Sequence, residues 1–130
     1  MTWATDRLDQ IKSGDTSFPP VVHTLRLGGL DDWVDGWARK TWTPAPELLN
    51  SDGSLFGGYI AALADQILAF AAMTVAPADA LFRTSNLMVE FIRVGKAQVL
   101  ALEGRVVART RGMIHVEADF RRPDGELVAR

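Results

Sequence analysis

The chain has 130 residues and a formal net charge of −2, with 48% hydrophobic residues, 23% charged residues and no cysteine. This length and composition are typical of one folded soluble domain and exclude a disordered or fibrous chain. The absence of cysteine excludes disulfide scaffolds, thiolate metal sites and cysteine nucleophiles. The slightly acidic charge balance argues against a surface that covers nucleic-acid phosphates.

The charge is unevenly distributed along the chain. Residues 1–82 carry a net charge of −5, and residues 83–130 carry +3. A cationic C-terminal half suits a ligand with phosphate groups, and a solvated sheet face of mixed charge is the alternative. The first residues lack the basic start and apolar run of a signal peptide, so we expect a cytoplasmic protein.

The first predicted elements are a short helix and a strand. Apolar residues recur at helical spacing from residue 4 to residue 11, and Gly14 follows them, which predicts an amphipathic helix. The aromatic, alternating stretch 36–42 predicts the first strand. We therefore expect an N-terminal helix and irregular extension at residues 1–35 and the main domain at residues 36–130.

Residues 55–76 are almost wholly apolar and predict a long buried helix. Gly57 and Gly58 mark its start, Pro77 marks its end, and Asp65 is its only charged residue. Its 22 residues also have the length of a membrane span. A carboxylate at the midpoint, the lack of close flanking lysine or arginine, and the lack of a second span favour a central helix wrapped by other structure.

The remaining sequence predicts antiparallel strands joined by tight turns. The predicted strands are residues 87–92, 99–107, 112–121 and 126–130. Residues 112–121 are the clearest case, because apolar and polar side chains alternate along them. One long buried helix followed by such strands predicts an α+β fold, in which a curled antiparallel sheet wraps around the helix.

Three runs of sequence carry a family resemblance: the run from Phe56 to Asp65, Phe91-Ile92-Arg93, and the run from Arg121 to Ala129. Together they resemble the hotdog-fold acyl-CoA thioesterases of the phenylacetate-pathway (PaaI-like) type, over about residues 36–130. The resemblance implies a hotdog fold and hydrolysis of an acyl-CoA to a free acid and CoA. It also implies a homodimer or homotetramer, with no cofactor beyond the CoA of the substrate. From the charge balance and from the carboxylate at the midpoint of the apolar helix, we expect no nucleic-acid partner and no membrane partner.

Asp65 is the first residue that needs a chemical explanation. Burying a carboxyl group in an apolar helix is costly unless a partner or a task holds it there. One explanation is a structural carboxylate that caps a neighbouring element or pairs with a buried arginine. The other is the general base or nucleophile of an acyl transfer, and the resemblance implies this catalytic role.

Gly57 and Gly58 have a possible role in stabilising negative charge. At a helix start, their backbone N–H groups lack intrahelical partners and lie near the positive end of the helix dipole, which is the outline of an oxyanion hole. Simple turn geometry or close packing is the alternative. Eight helical residues place Gly57 about 12 Å from Asp65, too far to hold one carbonyl group together. Two antiparallel copies in a dimer would bring Gly57 of one chain near Asp65 of the other.

The resemblance implies roles for two further polar residues. Asn50 falls where such enzymes place an amide that orients a water or the thioester carbonyl, and Thr84 falls where a hydroxyl holds the attacking water. The alternatives are that Asn50 belongs to a plain turn and that Thr84 is a common strand residue. Phe56 departs from the pattern, because many relatives carry histidine before the glycine pair, and a phenyl ring neither donates a hydrogen bond nor titrates.

Several residues are candidates for substrate contacts. Phe56 and Gly58 flank the candidate oxyanion hole. Cationic residues at predicted strand ends and turns are candidates for the CoA phosphates, and a solvated charge is the alternative explanation of each one; they are Arg93, Lys96, Arg109 and Arg111. His23 and His115 lie apart in the sequence, so we expect no metal site and no catalytic triad.

Two other functions remain open. The first is a non-catalytic module that binds acyl thioesters, which Phe56 makes credible. The second is a hotdog dehydratase or hydratase, which ranks lower because that class usually needs a histidine paired with an acid.

Overall fold

The structure is a computed structural model and describes residues 2–14, 18–77 and 80–130. Its helices are α1 (Trp3–Ser13), α2 (Pro20–Thr24) and α3 (Gly57–Met73), with a 3-10 turn at Pro46–Leu48. Its strands are β1 (Asp32–Val34), β2 (Trp37–Trp42), β3 (Leu100–Arg109), β4 (Ile114–Arg121) and β5 (Leu127–Ala129). The strands form one antiparallel sheet in the order β1-β2-β3-β4-β5, and α3 packs on β2, β3 and β4. The predicted α+β class is confirmed.

The sheet begins earlier in the chain than the sequence pattern predicts. The stretch 36–42 was expected to be the first strand, but β1 precedes it and pairs with β2 within the segment assigned to the extension. Asp35 and Gly36 form the hairpin turn between them, and Gly36 has a φ of 82°. An Asp-Gly pair is a strong hairpin signal, so the sequence contained the information for β1.

Residues 87–92 do not form the regular strand that was predicted. They run extended beside β5, where the backbones of Glu90 and Arg130 exchange hydrogen bonds of 2.9 and 3.1 Å. The Ile92 N–H donates to the Val128 carbonyl at 2.9 Å. Because β5 has only three residues, it offers too few backbone groups for a longer ladder. The segment therefore forms an incomplete sixth strand outside β5.

Helix α3 is packed on one side and open on another. Its buried stripe recurs at helical spacing and lies against the sheet and α1; it consists of Ile60, Leu63, Ala64, Ile67, Phe70 and Ala71. Phe56, Gly58 and Asp65 are exposed in the single chain. The expectation of a helix buried on every side is therefore wrong for one chain, because the sheet and α1 cover only part of its circumference. None of the helices in the described residues has the length and apolarity needed to cross a membrane.

The N-terminal extension is fastened by side chains that bond to consecutive backbone carbonyls. Trp42 Nε1 donates to the Arg26 carbonyl at 2.8 Å, and Lys40 Nζ donates to the Leu27 carbonyl. Gln66 Nε2 donates to the Gly28 carbonyl at 2.8 Å, and Gln66 Oε1 accepts from Lys40 Nζ at 2.5 Å. The extension is therefore tied both to β2 and to the middle of α3.

Lys40 is an unusual component of this network, because its side chain is only 1% exposed. Burial disfavours the ammonium form and lowers the pKa of Lys40 to about 8, while the charge of Asp31 opposes part of this shift. A lysine whose pKa is lowered by folding destabilises the folded chain fully below the folded-state pKa, and this cost disappears as the pH rises from the folded-state pKa to the unfolded-state pKa.

We predict that Lys40 makes the free energy of unfolding rise between pH 8 and 10.5, because the unfolded chain binds the additional proton in this window. The lowered pKa of Lys40 corresponds to a change of about 3 kcal/mol in the free energy of unfolding. Urea unfolding at several pH values measures it. The Lys40→Met variant should lose this part of the slope, and Lys96→Met, at an exposed lysine, should keep it. An identical slope in Lys40→Met and in the unmodified chain would contradict the prediction.

We also predict that Gly104→Ala destabilises the fold, because a Cβ atom on Gly104 would lie 2.9 Å from the Ile67 carbonyl oxygen of α3. Pushing α3 away from β3 should lower the free energy of unfolding by about 1–3 kcal/mol. Gly112→Ala is the matched control, since a Cβ atom there meets nothing within 4 Å. Thermal unfolding of both variants tests this, and equal midpoints would show that the helix does not rest on Gly104.

Candidate functional site

Asp65 and Thr84 form the central contact of the candidate site. The Thr84 hydroxyl donates to Asp65 Oδ1 at 2.6 Å. Both residues are exposed in the single chain, so the expected burial of Asp65 is wrong for one chain by itself. Within the described residues, no lysine or arginine forms an ion pair with Asp65. The contact leaves Asp65 Oδ2 and the lone pairs of the Thr84 hydroxyl able to bind a water molecule.

The packing of α3 explains where Asp65 points. Asp65 lies outside the buried stripe of the helix, whereas Ala64 and Ile67 lie within it. The next residue, Gln66, is held by Lys40 and by the Gly28 carbonyl. This turn of α3 is therefore bonded to the N-terminal extension on one side and to the Thr84 segment on the other.

The start of α3 presents unpaired backbone donors. Phe56 is the N-cap residue and makes no side-chain capping bond. The Tyr59 N–H donates to the Phe56 carbonyl at 2.9 Å. Within the part of the chain that the structure describes, the N–H groups of Gly57 and Gly58 have no acceptor. The expected arrangement of donors at a positive helix end is therefore present.

Two phenyl rings flank these donors. A Cβ atom on Gly57 would lie 3.3 Å from Cε1 of Phe91, so the Phe91 ring rests against the backbone of Gly57. The ring of Phe56, which is 54% exposed, folds over Gly58 and fills the space of a Cβ atom there. Glycine at both positions therefore lets aromatic rings approach the start of the helix. The contact between Phe91 and Gly57 was not predicted from the sequence.

Two grooves adjoin these groups. The first, of about 300 Å³, lies beside Gly57 between the start of α3 and residues 91–94. The second, of about 330 Å³, lies between α3, residues 88–90 and β4, and Ala64 and Leu68 form part of its wall next to Asp65. Both have largely apolar walls, which suits an apolar group or the linear arm of a thioester.

The single chain does not bring all predicted site residues together. Asp65 and Thr84 meet, but eight residues of α3 separate Gly57 from Asp65. The Asn50 amide donates to Ser54 Oγ at 3.0 Å within a turn, and Ser54 lines the first groove. Asn50 therefore contacts a residue that lines the first groove.

The four cationic candidates are dispersed. Arg93 lines the first groove, pairs with Glu126 at 2.9 Å and donates to the Leu127 carbonyl. Lys96 lies in the exposed loop before β3. Arg109 donates to the Val75 carbonyl, at the opposite end of α3, and Arg111 lies in the following turn. One chain therefore has no single cluster of these cations.

The chain is similar to known proteins in both sequence and fold. The family model of the thioesterase superfamily matches residues 52–129. The phenylacetic acid degradation-related protein of Ralstonia eutropha is 26% identical, with a TM-score of 0.82 over 94% of this chain and 92% of that protein. The PaaI protein of the Escherichia coli phenylacetic acid degradation operon is 21% identical, with a TM-score of 0.72 over 97% and 86%.

A thioesterase protein of Streptococcus pneumoniae, solved with coenzyme A, is 24% identical, with a TM-score of 0.66 over 77% of each chain. No curated protein matches the sequence. The solved structures confirm the predicted hotdog fold, and their alignments extend into the N-terminal region.

Proposed function

The chain belongs to the thioesterase superfamily, and we propose that it hydrolyses an acyl-CoA thioester to a free acid and CoA. The observation that carries this proposal is the 2.6 Å hydrogen bond from Thr84 to Asp65 on the open side of α3. A carboxylate beside a hydroxyl is suited to hold and deprotonate a water molecule. The coenzyme A in the Streptococcus pneumoniae structure supports a CoA thioester as the substrate class.

In the proposed reaction, Asp65 Oδ2 and the Thr84 hydroxyl oxygen accept hydrogen bonds from one water molecule. As the water oxygen attacks the thioester carbon, its proton passes to Asp65. The tetrahedral intermediate then collapses, the carbon–sulfur bond breaks, and the CoA thiolate takes the proton back from Asp65. Direct attack by the Asp65 carboxylate is the alternative route. Because Thr84 occupies one carboxylate oxygen and leaves room for a water, we favour the general-base route.

The developing oxyanion requires donors that Asp65 cannot supply. The unpaired N–H of Gly57 at the start of α3 is suited to this role. Since the two residues are about 12 Å apart along one helix, we propose a homodimer in which Gly57 of one chain faces Asp65 of the other. Such a dimer would hold two equivalent sites. A tetramer would be built from two of these dimers.

The same antiparallel dimer would bring the four cationic candidates to one side of the shared site. If α3 of the second copy runs antiparallel, its end extends about 12 Å beyond Gly57 of the first copy. Arg109 is bonded at that end of the helix, and Arg111 follows it. We propose that Arg93 and Lys96 of one chain, with Arg109 and Arg111 of the other, border the path of the CoA phosphates.

The proposed reaction uses a carboxylate, a hydroxyl, backbone amides and water, so we propose that it needs no cofactor beyond the CoA of its substrate. We also propose a cytoplasmic location, where acyl-CoA is available.

We predict that Asp65→Asn lowers kcat by about 10²-fold to 10⁴-fold, because an amide cannot accept the proton of the water. Release of CoA from a panel of acyl-CoA substrates, measured by thiol trapping, tests this. Asp35→Asn is the matched control, since Asp35 lies in the exposed turn before β2, and it should keep full activity. Unchanged hydrolysis by Asp65→Asn would remove Asp65 from the mechanism.

Phe56 makes a non-catalytic binding module the second candidate function, because its phenyl ring occupies the start of α3. Tight binding of acyl-CoA without release of CoA at any chain length would favour that function over hydrolysis.

We predict that Thr84→Val lowers kcat by about 10-fold to 100-fold, because one charge-assisted hydrogen bond is lost while the shape of the side chain is kept. KM should change little if Thr84 acts on the water and not on the substrate. Thr84→Ser keeps the hydroxyl and should restore most of the activity. Steady-state kinetics of both variants tests this, and equal losses of kcat in both would contradict a role for the hydroxyl.

A further inference from the structure

We infer that the Phe56 ring determines which acyl groups the site accepts. In this inference the ring lies against the second and third carbons of the acyl group, counting the carbonyl carbon as the first, and selects acyl groups that are apolar at these carbons. The inference rests on the proposed thioesterase function and names the acyl chemistry that the same site takes.

The first line of evidence is the position of the ring. A Cβ atom on Gly58 would overlap the Phe56 ring, so the ring is folded back over the first turn of α3. Gly58 permits this position because it has no side chain. The ring therefore covers the residue that directly follows Gly57, whose N–H is the proposed oxyanion donor, and it still remains exposed.

The second line of evidence is that the space around Gly57 has two different sides. One side is the first groove, whose walls include Gly57, Phe91 and Arg93. Its walls do not include Phe56 or Gly58, so the Phe56 ring lies on another side of the helix start. The proposed oxyanion donor therefore has a groove with a cation on one side and a phenyl ring on the other.

The shape of a thioester assigns these two sides. When the carbonyl oxygen accepts from the Gly57 N–H, the sulfur and the second acyl carbon leave the carbonyl carbon on opposite sides. The Arg93 guanidinium suits the phosphates of CoA, so the sulfur and the CoA arm take the groove. The acyl group then takes the side of Phe56. Because the Cα atoms of Gly57 and Gly58 are about 3.8 Å apart, the ring over Gly58 reaches the second and third acyl carbons.

The chemistry of the ring determines the preference. A phenyl ring offers no hydrogen-bonding group. A hydroxyl group on the third acyl carbon would lose its water against the ring without gaining a partner, which is unfavourable. A methylene group at the same carbon would gain apolar contact. We therefore expect the site to accept unsubstituted acyl groups and to discriminate against acyl groups with a hydroxyl on the third carbon.

Matched pairs of substrates test this preference: butyryl-CoA with 3-hydroxybutyryl-CoA, and octanoyl-CoA with 3-hydroxyoctanoyl-CoA. Within a pair, kcat/KM of the unmodified chain should be at least about 10-fold higher for the unsubstituted substrate. Phe56→Ala opens the third carbon to water and should reduce this ratio to below about 3-fold. Phe56→Leu keeps an apolar side chain and should keep the ratio. Trp3→Ala is the control, because Trp3 is an exposed aromatic residue of α1, and it should also keep the ratio.

A further variant displaces the ring without altering it. In Gly58→Ala the new methyl group takes the space of the Phe56 ring and forces the ring away. The backbone N–H groups remain, and alanine favours a helix more than glycine does. The substrate ratio should therefore fall as in Phe56→Ala, while the midpoint of thermal unfolding stays the same or rises. Adding Gly58→Ala to Phe56→Ala should change the ratio no further, because no ring is left to displace.

The outcomes separate the role of Phe56 from the activity. Equal hydrolysis within each pair by the unmodified chain, or an unchanged ratio in Phe56→Ala, overturns the role of Phe56 and leaves the thioesterase function standing. If the chain binds these substrates but hydrolyses none, the proposed function is overturned. The ratio of dissociation constants within each pair, measured by calorimetry on the same variants, then tests Phe56. A chain that neither binds nor hydrolyses them overturns both.

Discussion

The packing of α3 against the sheet is the constraint on which the rest of the structure depends. The buried stripe of α3 fixes how the helix is rotated about its axis. Its close approach to β3 is possible because Gly104 has no side chain opposite the Ile67 carbonyl. With the rotation fixed, Asp65 has to point toward the open side and toward Thr84. The chemistry of the candidate site is thus a consequence of core packing several residues away.

Polar contacts then connect α3, whose rotation the apolar packing fixes, to other segments of the chain. Asp65 and Gln66 are neighbours on α3, yet they bond to different parts of the chain: Asp65 to Thr84, and Gln66 to Lys40 and the Gly28 carbonyl. The buried ammonium of Lys40 is costly, as its lowered pKa shows. Its two acceptors offset part of this cost and connect the N-terminal extension to the middle of the helix.

The sequence was sufficient to predict the elements whose patterns are local. The alternating β4, the apolar α3 and the helix before Gly14 were all predicted close to their observed bounds. It was insufficient where the structure depends on distant neighbours. Residues 87–92 look like a strand, but how far they pair depends on the length of β5. Similarly, no pattern around Lys40 indicates that its ammonium group donates to the Leu27 carbonyl.

The position of Asp65 shows why the distinction between a chain and an assembly matters here. The apolar run around Asp65 predicts burial, whereas the single chain leaves Asp65 exposed. These facts agree if the open side of α3 is covered by a second copy, because sequence composition reflects the surface buried in the whole assembly. The same covering would exclude bulk water around Asp65 and the Gly57 amide, where charge-stabilising contacts become stronger. Covering the open side of α3 would therefore bury its remaining apolar surface and create the reactive environment in one step.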